Sequence, residues 1–189
     1  MPTKIKNSDT TDYSLLYFIS DIYTKANCIL KSYQNNDNTF EANEIMDGLF
    51  LGNINSVYDY KKLKELGITH IISVLAGFEP PFPNDFEYLV INALDTTNTI
   101  LHKNFDTSNK FIEEAFDNNG KVLVHCMAGR SRSATILAAY IISKFGMNTE
   151  IAIKSIQNKR NIVQPNNYFI SQLKNYYTEL YNVYEDKFV

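Results

Sequence analysis

Lys121-Val122-Leu123-Val124-His125-Cys126-Met127-Ala128-Gly129-Arg130-Ser131-Arg132-Ser133 leads out of an apolar strand, through a loop bearing a thiol and two guanidinium groups, into the start of a helix. The chain has three arginines, Arg130, Arg132 and Arg160, against fifteen lysines, and two of the three lie within seven residues of Cys126. Planar, bidentate recognition of a phosphate accounts for that concentration, since lysine offers a point charge and no fork. A strand-loop-helix junction also turns successive backbone N–H groups and the positive end of a helix dipole toward one small volume, a ready anion site.

Strands and helices alternate on both sides of this stretch. Before it, the pattern predicts a short strand at 49–52 and a helix at 57–66, capped by Ser56 and followed by Gly67. Strands at 69–75 and 88–91 come next, separated by the Pro-rich loop 77–83, then a loop at 93–99 and a helix at 103–117. After it, helices are predicted at 131–145, closed by Gly146, at 150–159 and at 168–181. This is α/β grammar: a central, mostly parallel, twisted sheet flanked by helices. Of the seven glycines, Gly129 alone falls inside a motif, where a tight loop needs a residue without a Cβ.

Residues 1–43 differ in character. Leu15, Ile19, Ile22, Ala26, Ile29 and Tyr33 recur at spacings of 4, 3, 4, 3 and 4, the stripe of an extra N-terminal amphipathic helix over about 12–33. The polar run Gln34-Asn35-Asn36-Asp37-Asn38 reads as a linker to a domain spanning 44–185. The stripe is buried either on the protein's own domain or against a second chain in a homodimer, and three heptads at most leave both open.

Composition narrows the function classes. With 189 residues, 44% hydrophobic and 13% aromatic, the chain can bury a sizeable core. A formal charge of −3 argues against nucleic-acid binding through a broad basic face and requires any positive field to be local. No run approaches the roughly 18 apolar residues of a membrane span, Met1-Pro2-Thr3-Lys4 lacks a secretory apolar region, and Pro2 stands where myristoylation needs glycine. A soluble, intracellular protein is expected, with Cys28 and Cys126 as free thiols. His70 and His102 are too isolated to suggest a metal site, and no cofactor is implied.

A thiol beside cations and a helix N-terminus is expected to be largely thiolate at neutral pH. The spacing Cys126-x5-Arg132 lets the loop curl so that sulfur and guanidinium face one centre. The plain alternative is a buried structural cysteine at a strand end. His-Cys-x-x-Gly-x-x-Arg-Ser at 125–133 resembles the active-site pattern of cysteine-dependent protein tyrosine phosphatases, in their dual-specificity subgroup. The resemblance extends over about 44–183. Residues 45–52 are similar to the family's opening strand, Gly67-Ile68-Thr69-His70-Ile71-Ile72 to its next one, and 164–173 to its closing helix.

That resemblance implies a protein tyrosine phosphatase-like fold and a phosphorylated protein substrate. It makes Cys126 the nucleophile of a cysteinyl-phosphate intermediate and Arg132 the clamp on the transferred group. Ser133 donates to the sulfur, His125 orients the loop and tunes the thiol by hydrogen bonding, and Met127, Ala128, Gly129, Arg130 and Ser131 complete the phosphate-binding loop. Asp95, in the loop about thirty residues before Cys126, matches the family's general acid. Its alternative is an Asx-turn aspartate; Asp106 falls in a predicted helix and Asp85 precedes a strand. Asn98 stands where relatives carry a second acid. Arg130 is expected to point outward, toward substrate or an acidic neighbour, and Lys154, Lys159 and Arg160 to face solvent or pair with acids, the last two also as a rim for an anionic substrate. The same loop would also serve a phosphoinositide, another phospholipid or an RNA 5′ end, and a phosphoprotein-binding module with little turnover is the third alternative.

Overall fold

Val122, Leu123 and Val124 are wholly buried, and their strand lies at the centre of a five-stranded sheet in the computed structural model, which describes residues 40–181. In chain order the elements are β1 (Ala42–Met46), β2 (Leu49–Gly52), α1 (Ile54–Tyr58), α2 (Tyr60–Leu66), β3 (Ile68–Val74) and β4 (Glu87–Ile91). A 3₁₀ turn at His102–Asn104 follows, then α3 (Phe105–Asp117), β5 (Lys121–His125), α4 (Arg132–Phe145), α5 (Thr149–Gln157) and α6 (Asn167–Tyr181). The sheet order is β1-β2-β5-β3-β4, parallel throughout except for the antiparallel pair β1–β2. This is the mostly parallel α/β sheet that the alternation predicts.

The apolar runs of β3 and β5 follow from burial on both faces. Phe50, Ile71 and Leu123 pack with Val57 of α1 and Leu63 of α2, whereas Leu51, Ile72, Val122 and Val124 pack with Ile112, Ile136, Ile156 and Leu173 of the other helices. Pairing sets Gly52 of β2 and Ser73 of β3 level with His125 of β5. Three strand ends therefore open together beneath residues 126–131, at the carboxyl edge where parallel sheets hold their ligands.

Two local expectations are corrected. The opening strand expected across 45–52 is a hairpin of two strands, turning at Asp47-Gly48, with Gly48 at φ 72° and its N–H held by Glu44 Oε1 at 3.1 Å. β1 starts at Ala42, two residues before the expected start of the domain at 44, and as an edge strand it buries only Ile45, so it lacks an apolar run to announce it. The helix expected at 57–66 is two short ones. Asn53 caps α1, accepting from the N–H groups of Asn55 and Ser56, and Asp59 caps α2. Ser56 is not a cap: it is buried and its hydroxyl donates to the Glu41 carbonyl at 2.8 Å. The N-terminal stripe over 12–33 and Cys28 lie outside the described residues. Among the described residues no single helix is long and apolar enough to cross a membrane.

Candidate active site

The loop after β5 is shaped by what its carbonyls do. The carbonyl of Met127 accepts from Ile54 N at 3.1 Å, that of Ala128 from Arg160 Nη2 at 3.1 Å and that of Gly129 from Arg160 Nε at 3.0 Å. Gln164 N reaches the Arg130 carbonyl at 2.8 Å, and Thr135 N and Oγ1 reach that of Ser131 at 2.8 and 2.9 Å. Five successive carbonyls are thus turned outward onto donors, which directs the intervening N–H groups toward Cys126 and builds a concave anion nest. Gly129 makes the bend at φ 63°, and a Cβ there would stand 2.5 Å from the Gly52 carbonyl oxygen. Both conformation and space therefore require glycine.

Cys126 is 2% exposed, a free thiol at the floor of this nest. Burial pushes its pKa up, but the Arg132 charge, the Ser133 hydroxyl and the backbone N–H groups of Ser133 and Arg130 together outweigh burial and hold it below the ordinary thiol value. Ser133 Oγ donates to Cys126 Sγ at 3.1 Å. Arg132 donates from Nη1 to the Ala93 carbonyl at 3.1 Å, while its buried Nε has no hydrogen-bond partner among the described residues. That guanidinium keeps one N–H without a hydrogen bond, and its charge acts on the thiol. Ser131 occupies the N-cap of α4 without capping it, leaving the first-turn N–H groups to the nest.

Asp95 lies on the opposite wall. Its Oδ1 accepts from Ser131 Oγ at 3.0 Å and from Asn166 Nδ2 at 2.8 Å, and its Oδ2 stands 3.8 Å from Arg132 Nε. One carboxylate oxygen is satisfied by fixed donors and the other stands by the Arg132 guanidinium, in a residue that lines the cavity. The two rejected aspartates lie elsewhere: Asp106 Oδ1 accepts from Tyr176 Oη at 2.6 Å, and Asp85 Oδ1 from Tyr60 Oη at 3.0 Å. Asn98 is exposed and does not line the cavity.

His125 does not reach the thiol with its ring. Nε2 is hydrogen-bonded to Ser73 Oγ at 2.7 Å, Nδ1 has no partner among the described residues, and the ring packs edge-on to Phe78. Burial, reinforced by the Arg132 charge and only partly opposed by the Cys126 backbone, pushes its pKa down to about 3. The imidazole is neutral and ties β5 to β3. His70 and His102 stand apart from it, paired with Glu87 at 3.3 Å and Glu179 at 2.9 Å.

The other two arginines follow expectation only in part: Arg130 is turned outward and Arg160 meets an acid, Glu41. Arg130 is exposed and meets the amide of Gln164, not an acid. Arg160 is 7% exposed, so it is neither a solvent-facing residue nor a rim. Besides its two bonds to the loop, it donates from Nη1 to Asn43 Oδ1 at 2.8 Å and contacts Glu41 Oε2 at 3.5 Å. Lys154 and Lys159 are exposed, and Lys159 lines a separate depression with Glu41, Asn43 and Arg160. Asn166 is a site residue that sequence reasoning missed, and the hold of Arg160 on the loop is a role it did not foresee. The scarcity of arginine in the chain was the available signal for the second.

Together these groups enclose an open cavity of about 660 Å³, lined by Asp95, Cys126 to Ala128, Arg130 to Arg132 and Gln164 to Asn167. It offers a nucleophilic sulfur, an anion nest, a rigid guanidinium and a carboxyl group on the facing wall.

Residues 49–179 match the family described as dual specificity phosphatase, catalytic domain. Dual specificity protein phosphatase 1B of Arabidopsis thaliana is 40% identical over 136 residues, covering 72% of this chain and 81% of that protein. Dual specificity protein phosphatase 22-A of Danio rerio is 36% identical over 143 residues, 76% and 68% of the two chains. Among solved structures, the human tyrosine phosphatase-like serine/threonine/tyrosine-interacting protein superposes with a TM-score of 0.71 at 36% identity, over 77% of this chain and all of that one.

Proposed function

The chain belongs to the dual specificity phosphatase family and is a phosphatase enzyme, and we propose that it hydrolyses phosphotyrosine and phosphoserine or phosphothreonine in proteins through a phosphate ester of Cys126. The observation that carries this reading is the donor set around one sulfur: the Ser133 hydroxyl, two backbone N–H groups and the Arg132 charge all favour the thiolate.

In the first step Sγ attacks phosphorus, the P–O bond to the side chain breaks, and Asp95 gives its Oδ2 proton to the departing oxygen. Arg132 and the inward N–H groups hold the equatorial oxygens as charge builds on them. In the second step water attacks phosphorus, loses a proton to Asp95, and the P–S bond breaks with the electron pair returning to a sulfur that Ser133 stabilises. Inorganic phosphate leaves and the thiolate is restored.

The test is turnover of phosphotyrosyl and phosphothreonyl peptides, a phosphoinositide and a 5′-phosphorylated RNA by wild type and Cys126→Ser, with acid-quenched wild type examined for phosphate on the Cys126 peptide. Peptide turnover lost in the variant, with trapped phosphocysteine, is the expected result. Persistent activity in Cys126→Ser would overturn the mechanism, and preferential turnover of the lipid or RNA would overturn the substrate class.

A further inference from the structure

Gln172, on α6, is 6% exposed and does not line the cavity. Its Oε1 accepts from Leu101 N at 2.8 Å and from His102 N at 2.9 Å, and its Nε2 donates to the Thr99 carbonyl at 3.0 Å. These three groups form the return limb of the loop that carries Asp95. Asp95 itself is held by Ser131 and Asn166, but from Thr96 to Asn98 the loop is exposed and its bonds are local: Thr99 N to the Thr96 carbonyl at 3.3 Å, and the Thr96 and Thr99 hydroxyls at 3.1 Å. The outgoing limb is held where Arg132 grips the Ala93 carbonyl. A loop of exposed residues takes its position from its anchored ends, and a proton donor displaced by about an ångström loses much of its effect.

We propose that Gln172 is a positioning residue for Asp95, clamping 99–102 onto α6 so that Oδ2 meets the leaving oxygen. The proposal rests on Asp95 being the general acid. A primary amide suits this clamp because one oxygen takes two N–H groups while the nitrogen reaches a carbonyl. Glutamate lacks the donor, asparagine is a methylene short, and leucine has neither group. Asn166, just before α6, holds the carboxylate itself, so one helix and its lead-in fix both the acid and the tail of its loop.

The experiment measures kcat and KM for a phosphotyrosyl peptide and for dinitrophenyl phosphate in wild type, Gln172→Leu, Gln172→Glu and Asp95→Asn, with thermal unfolding as the check on folding. The tyrosine phenol, with a pKa of about 10, needs a proton to leave, whereas dinitrophenolate does not. Gln172→Leu is expected to lower kcat/KM on the peptide by about 10- to 100-fold and on dinitrophenyl phosphate by less than about 2-fold, because kcat/KM reports the steps up to P–O cleavage, before Asp95 serves as base, and dinitrophenolate leaves without a proton. Gln172→Glu, which keeps the acceptor and loses the tether to Thr99, falls between. Equal losses on both substrates, or none, overturn the proposal; if Gln172→Leu does not fold, Gln172→Glu is judged by the same criterion. Selective loss in Asp95→Asn beside unselective loss in Gln172→Leu discards the role of Gln172 alone. The reverse pattern discards Asp95 as the acid and keeps the link between Gln172 and proton delivery.

Discussion

Ser131 Oγ donates to Asp95 Oδ1 at 3.0 Å, although the two residues are 36 positions apart, and the same hydroxyl accepts from Asn166 N at 3.3 Å. The carboxyl group is therefore gripped from the nucleophile loop on one side and by the Asn166 side chain on the other. Asn166→Ser keeps an oxygen near Phe169 N, where the asparagine side chain accepts at the start of α6, but cannot reach Asp95. It is expected to lower kcat/KM for the phosphotyrosyl peptide by about 10-fold, a part of what a general acid contributes, and to spare kcat/KM for dinitrophenyl phosphate. Steady-state kinetics on the pair of substrates decides it.

Ser133→Ala removes the hydroxyl donor to sulfur. A hydrogen bond to a charged group is worth about 1.5–3 kcal/mol, so breakdown of the phosphoenzyme should slow by about 10- to 100-fold. Rapid-quench kinetics should then show a burst of phenol release followed by a slow steady state. A uniform slowing with no burst would place the effect on the first step.

The Cys126 pKa lies below its ordinary value of 9.0, chiefly because Arg132 and Ser133 overcome burial. Alkylation by iodoacetamide, which reacts with the thiolate, should therefore titrate with a midpoint below 9.0 in wild type. Ser133→Ala withdraws a donor from the anion and should move the midpoint upward. A downward movement would contradict the assigned cause.

His125 refuses a proton in the folded chain until about pH 3, whereas unfolded it takes one near 6.5. Between those values the unfolded state binds the extra proton, so stability is full above about 6.5 and falls as pH drops toward 3. The effect amounts to about 2–3 kcal/mol between about pH 7 and 4.5. Urea unfolding of wild type and His125→Gln at both pH values isolates it: the wild type should lose that much more than the variant.

Arg160→Met leaves the carbonyls of Ala128 and Gly129 without donors and Glu41 without its cation. Breaking a buried charged network costs about 3–5 kcal/mol, and Arg160→Lys should recover only part because an ammonium cannot span both carbonyls. Phosphate affinity at temperatures where the variants remain folded should also weaken, since the outward carbonyls orient the inward N–H groups. Unchanged phosphate binding in a folded Arg160→Met would show that the nest holds its shape alone.

The sheet and the nucleophile loop were legible because their signals are local. β3 and β5 are continuous apolar runs buried on both faces, and the Cys126-to-Ser133 spacing is carried by one loop. β1 was not legible, because an edge strand with one buried side chain has no run to read. Ser56 misleads for a related reason: a serine before a helix signals a cap, yet Asn53 takes that role and Ser56 is drawn inward to Glu41. The supporting residues were hidden more deeply. Arg160, Asn166 and Gln172 act across 31 to 119 positions, through bonds whose partners only the fold brings together. Asp95 could be named from its place in the chain, but not the two donors that hold one of its oxygens.

The antiparallel hairpin at the sheet edge separates the unit that is recognisable from the unit that works. The family match begins at Leu49, and a fragment cut there would retain the nucleophile, the clamp and the acid. It would lack Asn43 and Glu41, and Arg160 would be left holding the loop with two of its four partners gone. The first strand is scaffolding on loan to the far side of the catalytic loop, and a cut at the boundary of the family match would sever it.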